Sequence, residues 1–228
     1  MDNIKYRHEH KIYINLGDYY ILKSRLKKIM KLDKNSKEND GYFIRSIYFD
    51  DINDKALFEK ISGINHREKY RIRFYNNDTS VIKLEKKIKD NGLTKKFSSL
   101  ISKEECEKIL EGDIEWIKFT NRSLLKEFYT RMKSDLFKPR TIVDYNREAY
   151  IYPVGNVRVT FDKLISSGLF SKEIFNENLP TMDSLDPQLI ILEIKYDEFL
   201  PSVIADIIQI GDRRITAVSK YALCRKWG

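Results

Sequence analysis

The 228-residue chain holds only two cysteines, Cys106 and Cys224. They are too few and too far apart for a disulfide framework or a zinc site. Proline and glycine are also sparse, at five and nine residues. No stretch rich in Pro, Gly or Ser divides the chain and no internal repeat is present, so one domain over residues 1–228 is expected. No run approaches the roughly 18 apolar residues of a membrane span. The N-terminal MDNIKYRHEHK lacks the apolar core of a secretory signal, so a cytoplasmic location is expected. The P-loop pattern GxxxxGK is missing, as are GxGxxG, HExxH and CxxC. A phosphate site cradled by glycines therefore has no support.

Charge is what the chain has in excess. Lys and Arg number 42 against 34 Asp and Glu, a formal net charge of +8, with 42% hydrophobic and 33% charged residues. A sizeable core is available, disorder is not expected, and the basic excess suits a polyanionic partner. The charges alternate. In Arg67-Glu68-Lys69-Tyr70-Arg71-Ile72-Arg73-Phe74-Tyr75 every odd position but the last is basic, and the even positions after Glu68 are Tyr, Ile and Phe. A strand sends successive side chains to opposite faces, so this one has a cationic face and an apolar face. Lys83, Glu85, Lys87 and Lys89 repeat the plan against Ile82, Leu84, Lys86 and Ile88, and Asn76-Asn77-Asp78 between the two runs predicts a hairpin. The same parity joins Arg7, Glu9, Lys11 and Tyr13; Tyr145 and Arg147; Arg158, Thr160 and Asp162; and Ile191, Glu193 and Lys195.

One such strand reads most simply as an antiparallel strand with a solvated face. Many together can curl into a barrel with a charged lumen, kept only if it is wet or filled by an ionic ligand. Helical segments are expected at Asp18–Leu32 with Asp18 as N-cap, at Asp51–Ser62 ending on Gly63, at Ile114–Ser134 and at Leu200–Gly211. Ser102-Lys-Glu-Glu105 fits a capping box opening a helix that carries Cys106, Ile109 and Leu110, which makes Cys106 a core residue rather than a nucleophile. Residues 170–188 read as a long, mobile loop. His8-Glu9-His10 puts its two imidazoles on the strand face opposite Glu9 and is a poor zinc site. Ser219-Lys220 matches no hydrolase motif, and no His lies nearby in sequence to act as its base. The basic residues are interleaved with carboxylates rather than clustered on one helix, so nucleic acid is not the expected partner.

The series RHEHKIYI (7–14), IRSIYFDD (44–51), REKYRIRFY (67–75), IKLEKKIK (82–89), YNREAY (145–150), VRVTFD (157–162), LEIKY (192–196) and SKY (219–221) resembles the VTC domain. That domain is the catalytic module of the polyphosphate polymerases of the vacuolar transporter chaperone complex. It belongs with the triphosphate tunnel metalloenzymes and is related to the CYTH proteins. The resemblance covers nearly the whole chain in order. It implies an α+β fold, an antiparallel β-barrel forming a triphosphate tunnel with helices packed around the outside. It also implies transfer of the γ-phosphate of ATP to a growing polyphosphate chain with Mn²⁺ or Mg²⁺. The readings that compete with it are a triphosphate hydrolase of the same superfamily and a non-catalytic polyphosphate-binding module.

Position by position, the resemblance makes Arg71, Arg73, Lys87, Arg147 and Lys220 catalytic. It makes Lys11, Lys96, Tyr145 and Ser219 substrate-binding, with Lys95 an equal choice to Lys96, and it assigns the metal to Glu193. Arg158 and Lys195 are added as substrate-binding candidates because they share the inferred strand faces. Glu9 and Glu85 share the inferred faces as further candidates. The residue types suit the chemistry: phosphoryl transfer depends on positioning and charge neutralisation, arginine forks grip phosphate oxygens, and a divalent ion needs one or two carboxylates. Two departures stand out. The inositol-phosphate-sensing SPX domain and membrane helices of the eukaryotic complexes are not found here, so coupling to a membrane is expected only through a separately encoded partner. The CYTH signature of two glutamates and a lysine at alternate positions reads Arg7-Glu9-Lys11, which favours the polymerase-like branch.

Overall fold

The computed structural model describes residues 6–36, 41–211 and 213–226. Its strands are β1 (His8–Ile14), β2 (Lys31–Leu32), β3 (Tyr42–Asp50), β4 (Arg67–Tyr75), β5 (Asp78–Asp90), β6 (Leu93–Ile101), β7 (Lys138–Tyr152), β8 (Val157–Ser167), β9 (Met182–Asp183) and β10 (Ile190–Tyr196). Eight of them form one antiparallel sheet in the order β1-β10-β8-β7-β3-β4-β5-β6, while β2 pairs with β7 and β9 with β8. The sheet curls until its edges meet. Arg7 N–H donates to Thr94 O and Thr94 N–H to Arg7 O, both at 2.9 Å, which ties the start of β1 to β6. The expected hairpin between β4 and β5 turns on Asn76 and Asn77, whose φ values of 53° and 55° give a two-residue type I′ turn.

Alternation along the strands sorts residues into an inner and an outer set. On the outside, Ile47, Phe49, Tyr70, Ile72, Phe74, Ile82 and Leu84 pack under α3 (Lys103–Glu111) and α4 (Ser123–Ser134). Around the barrel, Ile12, Ile14, Val159, Phe161, Leu192 and Ile194 pack under α1 (Leu16–Leu26) and α5 (Ser202–Ile207). Helices α1, α3, α4 and α5 therefore cover the outside, whereas α2 (Lys55–Ile61) sends Lys60 to the cavity wall and α6 (Lys220–Cys224) enters the barrel. Tyr221 and Cys224 of α6 join the inward-facing Ile44, Tyr48, Val143, Tyr145 and Ile191 in a third apolar cluster. The C-terminal helix thus fills one end of the barrel.

Several helix boundaries differ from expectation, each for a local reason. In α1 the cap is Asn15, not Asp18: Asp18 N–H donates to Asn15 Oδ1 at 2.8 Å and Asn15 N–H to Asp18 Oδ2 at 3.2 Å. Asp51–Asp54 is a turn preceding α2 (Lys55–Ile61), whose first amides are taken by the carboxylates of Asp50 and Asp51. The expected stop at Gly63 holds, with φ of 72° and Ile64 N–H closing on Glu59 O at 3.0 Å. Ile114–Ser134 is broken into a 3₁₀ turn, Glu115–Phe119, and α4, because Thr120 turns extended. Leu200–Gly211 shrinks to α5 because Pro201 caps it and the chain beyond runs along β1, where Thr216 N–H donates to Lys11 O at 2.8 Å. Residues 170–188 are pinned rather than loose: Ile174 is buried and Arg45 donates to Ile174 O and Asn176 O. Cys106 is fully buried and its thiol is pushed up to about 12, consistent with a core residue. Among the described residues no helix is long and apolar enough to cross a membrane.

The outer core supplies a direct stability test. Phe128 is fully buried, edge-on to Phe49 at 5.0 Å between ring centroids and 5.6 Å from Tyr70. Phe128→Ala is expected to lower the unfolding free energy by about 3–5 kcal/mol. Phe119→Ala, at an 87% exposed position, should stay within about 0.5 kcal/mol. Equal urea midpoints for the two variants would contradict this placement of the core.

Candidate functional site

The inner faces of five strands deliver their charges to one cavity. From β1 come Glu9 and Lys11, and from β10 Glu193 and Lys195. From β4 come Arg67, Lys69, Arg71 and Arg73, from β5 Lys87 and Lys89, and from β7 Tyr145 and Arg147. Tyr48 of β3, Lys60 of α2, Thr94 of β6 and the segment Thr216–Lys220 complete the wall. Cross-strand register sets the neighbours: Lys11 faces Glu193, Glu9 faces Lys195, Arg71 lies between Tyr48 and Glu85, and Lys69 faces Lys87. Eleven basic and two acidic side chains line a space of about 1000 Å³ that includes its open mouth.

Four buried carboxylates hold the cations in place. Glu9 sits between Lys11 Nζ and Lys87 Nζ, 2.5 Å from each. Asp162, fully buried behind the wall, accepts two hydrogen bonds from Arg147 at 2.6 and 2.7 Å and lies 2.5 Å from Lys220 Nζ. Glu193 contacts Lys195 Nζ, with Arg147 at 3.6 Å and Lys220 at 3.9 Å. Glu85 accepts from Arg71 at 2.7 and 2.8 Å and from Lys96 at 2.9 Å. Arg71 also donates to Tyr48 OH at 2.8 Å, and Arg73 to Ser46 Oγ at 2.8 Å and Tyr145 OH at 2.9 Å. Burial alone would push Glu193 up, but Lys195, Lys11, Arg147 and Lys220 outweigh it and hold the carboxyl well below its usual range. Glu9 behaves alike through Lys11 and Lys87. These acids stay ionised and orient the forks.

Positive charge still exceeds negative inside, and the surplus shows on the lysines. Burial, with Lys11 and Lys195 adding to it and Glu9 offsetting only part, lowers Lys87 to about 7. Lys69 is driven well below the ordinary lysine range by burial and then by Lys11, Lys60, Arg67 and Lys87. An anion entering the cavity restores those protons. Because the free Lys87 loses its charge as pH rises through about 7, tripolyphosphate binding above that pH should take up protons. Its affinity should fall by up to about tenfold per pH unit for each proton taken up. Calorimetry in two buffers of different ionisation heat checks this, and equal heats in both would refute it.

Ten of the twelve positions expected from sequence meet in the cavity: Lys11, Arg71, Arg73, Lys87, Tyr145, Arg147, Glu193, Lys195, Ser219 and Lys220. Arg158 does not line it. Its guanidinium is held by Asp33 at 2.6 Å and Tyr42 OH at 2.8 Å. Lys96 also lies off the wall, half exposed and paired with Glu85, while the Lys95 ammonium lies over the rings of Tyr6 and Phe97 at 5.4 and 5.2 Å. Lys96, not Lys95, therefore joins the inner charge network. Sequence reasoning left out Lys69 and Asp162, although both share the parity of their strands, and it left out Tyr48. Lys60 arrives from a helix and gave no strand-parity signal. Arg7 turns away to Asp197 at 2.8 Å.

Among the described residues no group of three or more His, Cys, Asp or Glu is placed to hold a metal ion. Glu9 and Glu193 are two carboxylates on one inner face of adjacent strands. Mg²⁺ keeps most of its waters and takes one or two carboxylates together with substrate phosphates, so this donor set fits an ion bound jointly with phosphate. His8 and His10 lie instead against Tyr196.

A family model described as the VTC domain matches residues 6–227. A candidate adenylate cyclase of Bacillus halodurans shares the fold, with 14% identity, TM-score 0.53, and coverage of 90% of this chain and 87% of that one. A candidate adenylate cyclase of Vibrio parahaemolyticus matches at 9% identity and TM-score 0.47, covering 90% and 83%. A Mimivirus capping-enzyme triphosphatase matches at 12% identity and TM-score 0.41, covering 92% and 91%. Among curated proteins none matches the chain.

Proposed function

The chain belongs to the VTC domain family, and from that premise we propose that it is a metal-dependent polyphosphate polymerase, one unit over its whole length, that transfers the γ-phosphate of ATP to a growing polyphosphate chain inside its basic cavity. The observation that carries this reading is the convergence of eleven cations and two carboxylates from five strands, one helix and the C-terminal segment on one space. In phosphoryl transfer the protein's share is positioning and neutralisation of charge on the transferred group. Arg71 and Arg73, pre-aimed by Glu85, Tyr48, Ser46 and Tyr145, suit bidentate contact with phosphate oxygens. Arg147 and Lys220, held by Asp162, supply further charge beside Tyr145. Lys11, Lys87 and Lys195 serve as point charges along the chain of phosphates. Glu193 would hold Mn²⁺ or Mg²⁺, which would supply Lewis-acid withdrawal of charge from the phosphate.

Arg7 supports polymerase over hydrolase, since the position of a first signature acid holds a cation aimed outside the cavity. The test incubates the purified protein with ATP and Mn²⁺ and resolves products by gel electrophoresis. Long polyphosphate is expected. Stoichiometric free phosphate without chains would overturn the polymerase reading in favour of hydrolysis, and binding without turnover would favour a sensing module.

A further inference from the structure

Synthesis of a chain needs a first acceptor, and the cavity contains a hydroxyl with a base beside it. Ser219 Oγ accepts a hydrogen bond from Lys69 Nζ at 2.8 Å, across 150 positions of sequence. Ser219 also caps α6 through Ala222 N–H, and α6 is fastened by Tyr221 OH on Asp50 at 2.7 Å and by the stack of Tyr221 on Tyr48. The hydroxyl is therefore held in one place on the wall.

Lys69 differs from four of the lysines that share the cavity with it. Lys11, Lys87, Lys195 and Lys220 each lie within ion-pair distance of Glu9, Glu193 or Asp162. Among the described residues Lys69 contacts no carboxylate. Its neighbours are the Ser219 hydroxyl, the Tyr221 ring at 5.2 Å, and the cations Lys11, Lys60, Arg67 and Lys87. A buried amine without a counter-ion surrenders its proton readily and becomes a base. The other cavity hydroxyls paired with cations lack this feature, because Tyr48 OH and Tyr145 OH accept from the guanidiniums of Arg71 and Arg73, which do not deprotonate.

We propose that Ser219 is the first phosphoryl acceptor, with Lys69 as its general base, so that the protein phosphorylates itself inside the cavity before any free chain exists. This inference rests on the γ-phosphoryl transfer proposed above. Ser219 Oγ attacks the γ-phosphorus, the Oγ–P bond forms, the bond from that phosphorus to the oxygen bridging the β-phosphate breaks, and ADP leaves. The hydroxyl proton passes to Lys69 Nζ, and the resulting ammonium faces the new phosphate dianion. A bound triphosphate favours the ammonium, so the step should speed up as pH rises and the amine is freed.

The experiment incubates the purified chain with γ-³²P-labelled ATP and Mn²⁺ without added polyphosphate, then maps acid-stable label by peptide mass spectrometry. One phosphoryl group on Ser219 is expected, formed faster at higher pH. Ser219→Ala should carry no label there and should make polyphosphate only after a lag, which added tripolyphosphate abolishes by serving as primer. Lys69→Arg keeps the charge but not the base, and should slow labelling by about 10²–10⁴-fold. The mapping on the unaltered protein stands even if a variant fails to fold. Chains formed without label on Ser219, label confined to another residue, or full-rate labelling of a folded Lys69→Arg would each overturn the proposal and leave the polymerase reading intact. The absence of both chains and label would overturn the two together.

Discussion

Replacing Arg71 and Arg73 together by glutamine is expected to abolish triphosphate binding and also to cost stability. A hydrogen bond to a charged group contributes about 1.5–3 kcal/mol. Losing two guanidinium contacts should therefore weaken tripolyphosphate binding on the order of 10³-fold, measurable by calorimetry. From strand parity alone, removing two like charges from a lumen should be harmless or stabilising to the empty protein. The pairing of Arg71 with Glu85 reverses that sign. Glu85 is 1% exposed, and without the arginines Lys96 is its one remaining cationic partner among the described residues. A buried carboxylate stripped of its main partner costs about 3 kcal/mol.

The pH dependence follows from the same group. Burial raises the Glu85 carboxyl, but Arg71, Arg73 and Lys96 outweigh it and hold it below the usual range. Its contribution is present above the unfolded carboxylate value and is lost as pH falls through the lower folded value. The stability gap between wild type and the double variant should therefore narrow toward acid. Adding Glu85→Gln should restore the urea midpoint at neutral pH without restoring binding. Recovery of binding in the triple variant would show that the arginines act only as structural partners of Glu85.

Glu193→Gln is expected to separate binding from turnover. The carboxylate faces Lys195, Lys11, Arg147 and Lys220, so its removal adds net positive charge to the cavity. Metal-free tripolyphosphate binding should be unchanged or tighter. Metal-dependent turnover should drop by about 10²–10³-fold, the scale for removing one electrostatic stabiliser of a transition state. Binding that collapses along with turnover would mark Glu193 as a structural anchor for the lysines instead. Turnover that persists at full rate would remove it from the proposed metal site.

Much of this was legible along the chain. Alternation in 67–75 and 82–89 separated inward from outward residues, because strand geometry fixes that separation before any partner strand is known. The capping box at Ser102 and the stop at Gly63 were equally local. Errors came where a longer-range contact decided. Asp18 looked like a cap by residue type, but it sits at the third helical position, answering Asn15. Arg158 had the right parity, yet Asp33, far away in sequence, takes its guanidinium.

What the sequence determined by itself is the two-faced character of each strand and the sign of the charge on the inner face. Both follow from residue order and a period of two. Only the tertiary structure decided which cations are neutralised and which are left over. Asp162 takes Arg147 and Lys220, Glu85 takes Arg71, Glu9 takes Lys11 and Lys87, and Lys69 is left with a serine hydroxyl 150 positions away. Coulombic pairing depends on distances set by barrel closure and strand register, and no local pattern in the chain encodes those distances.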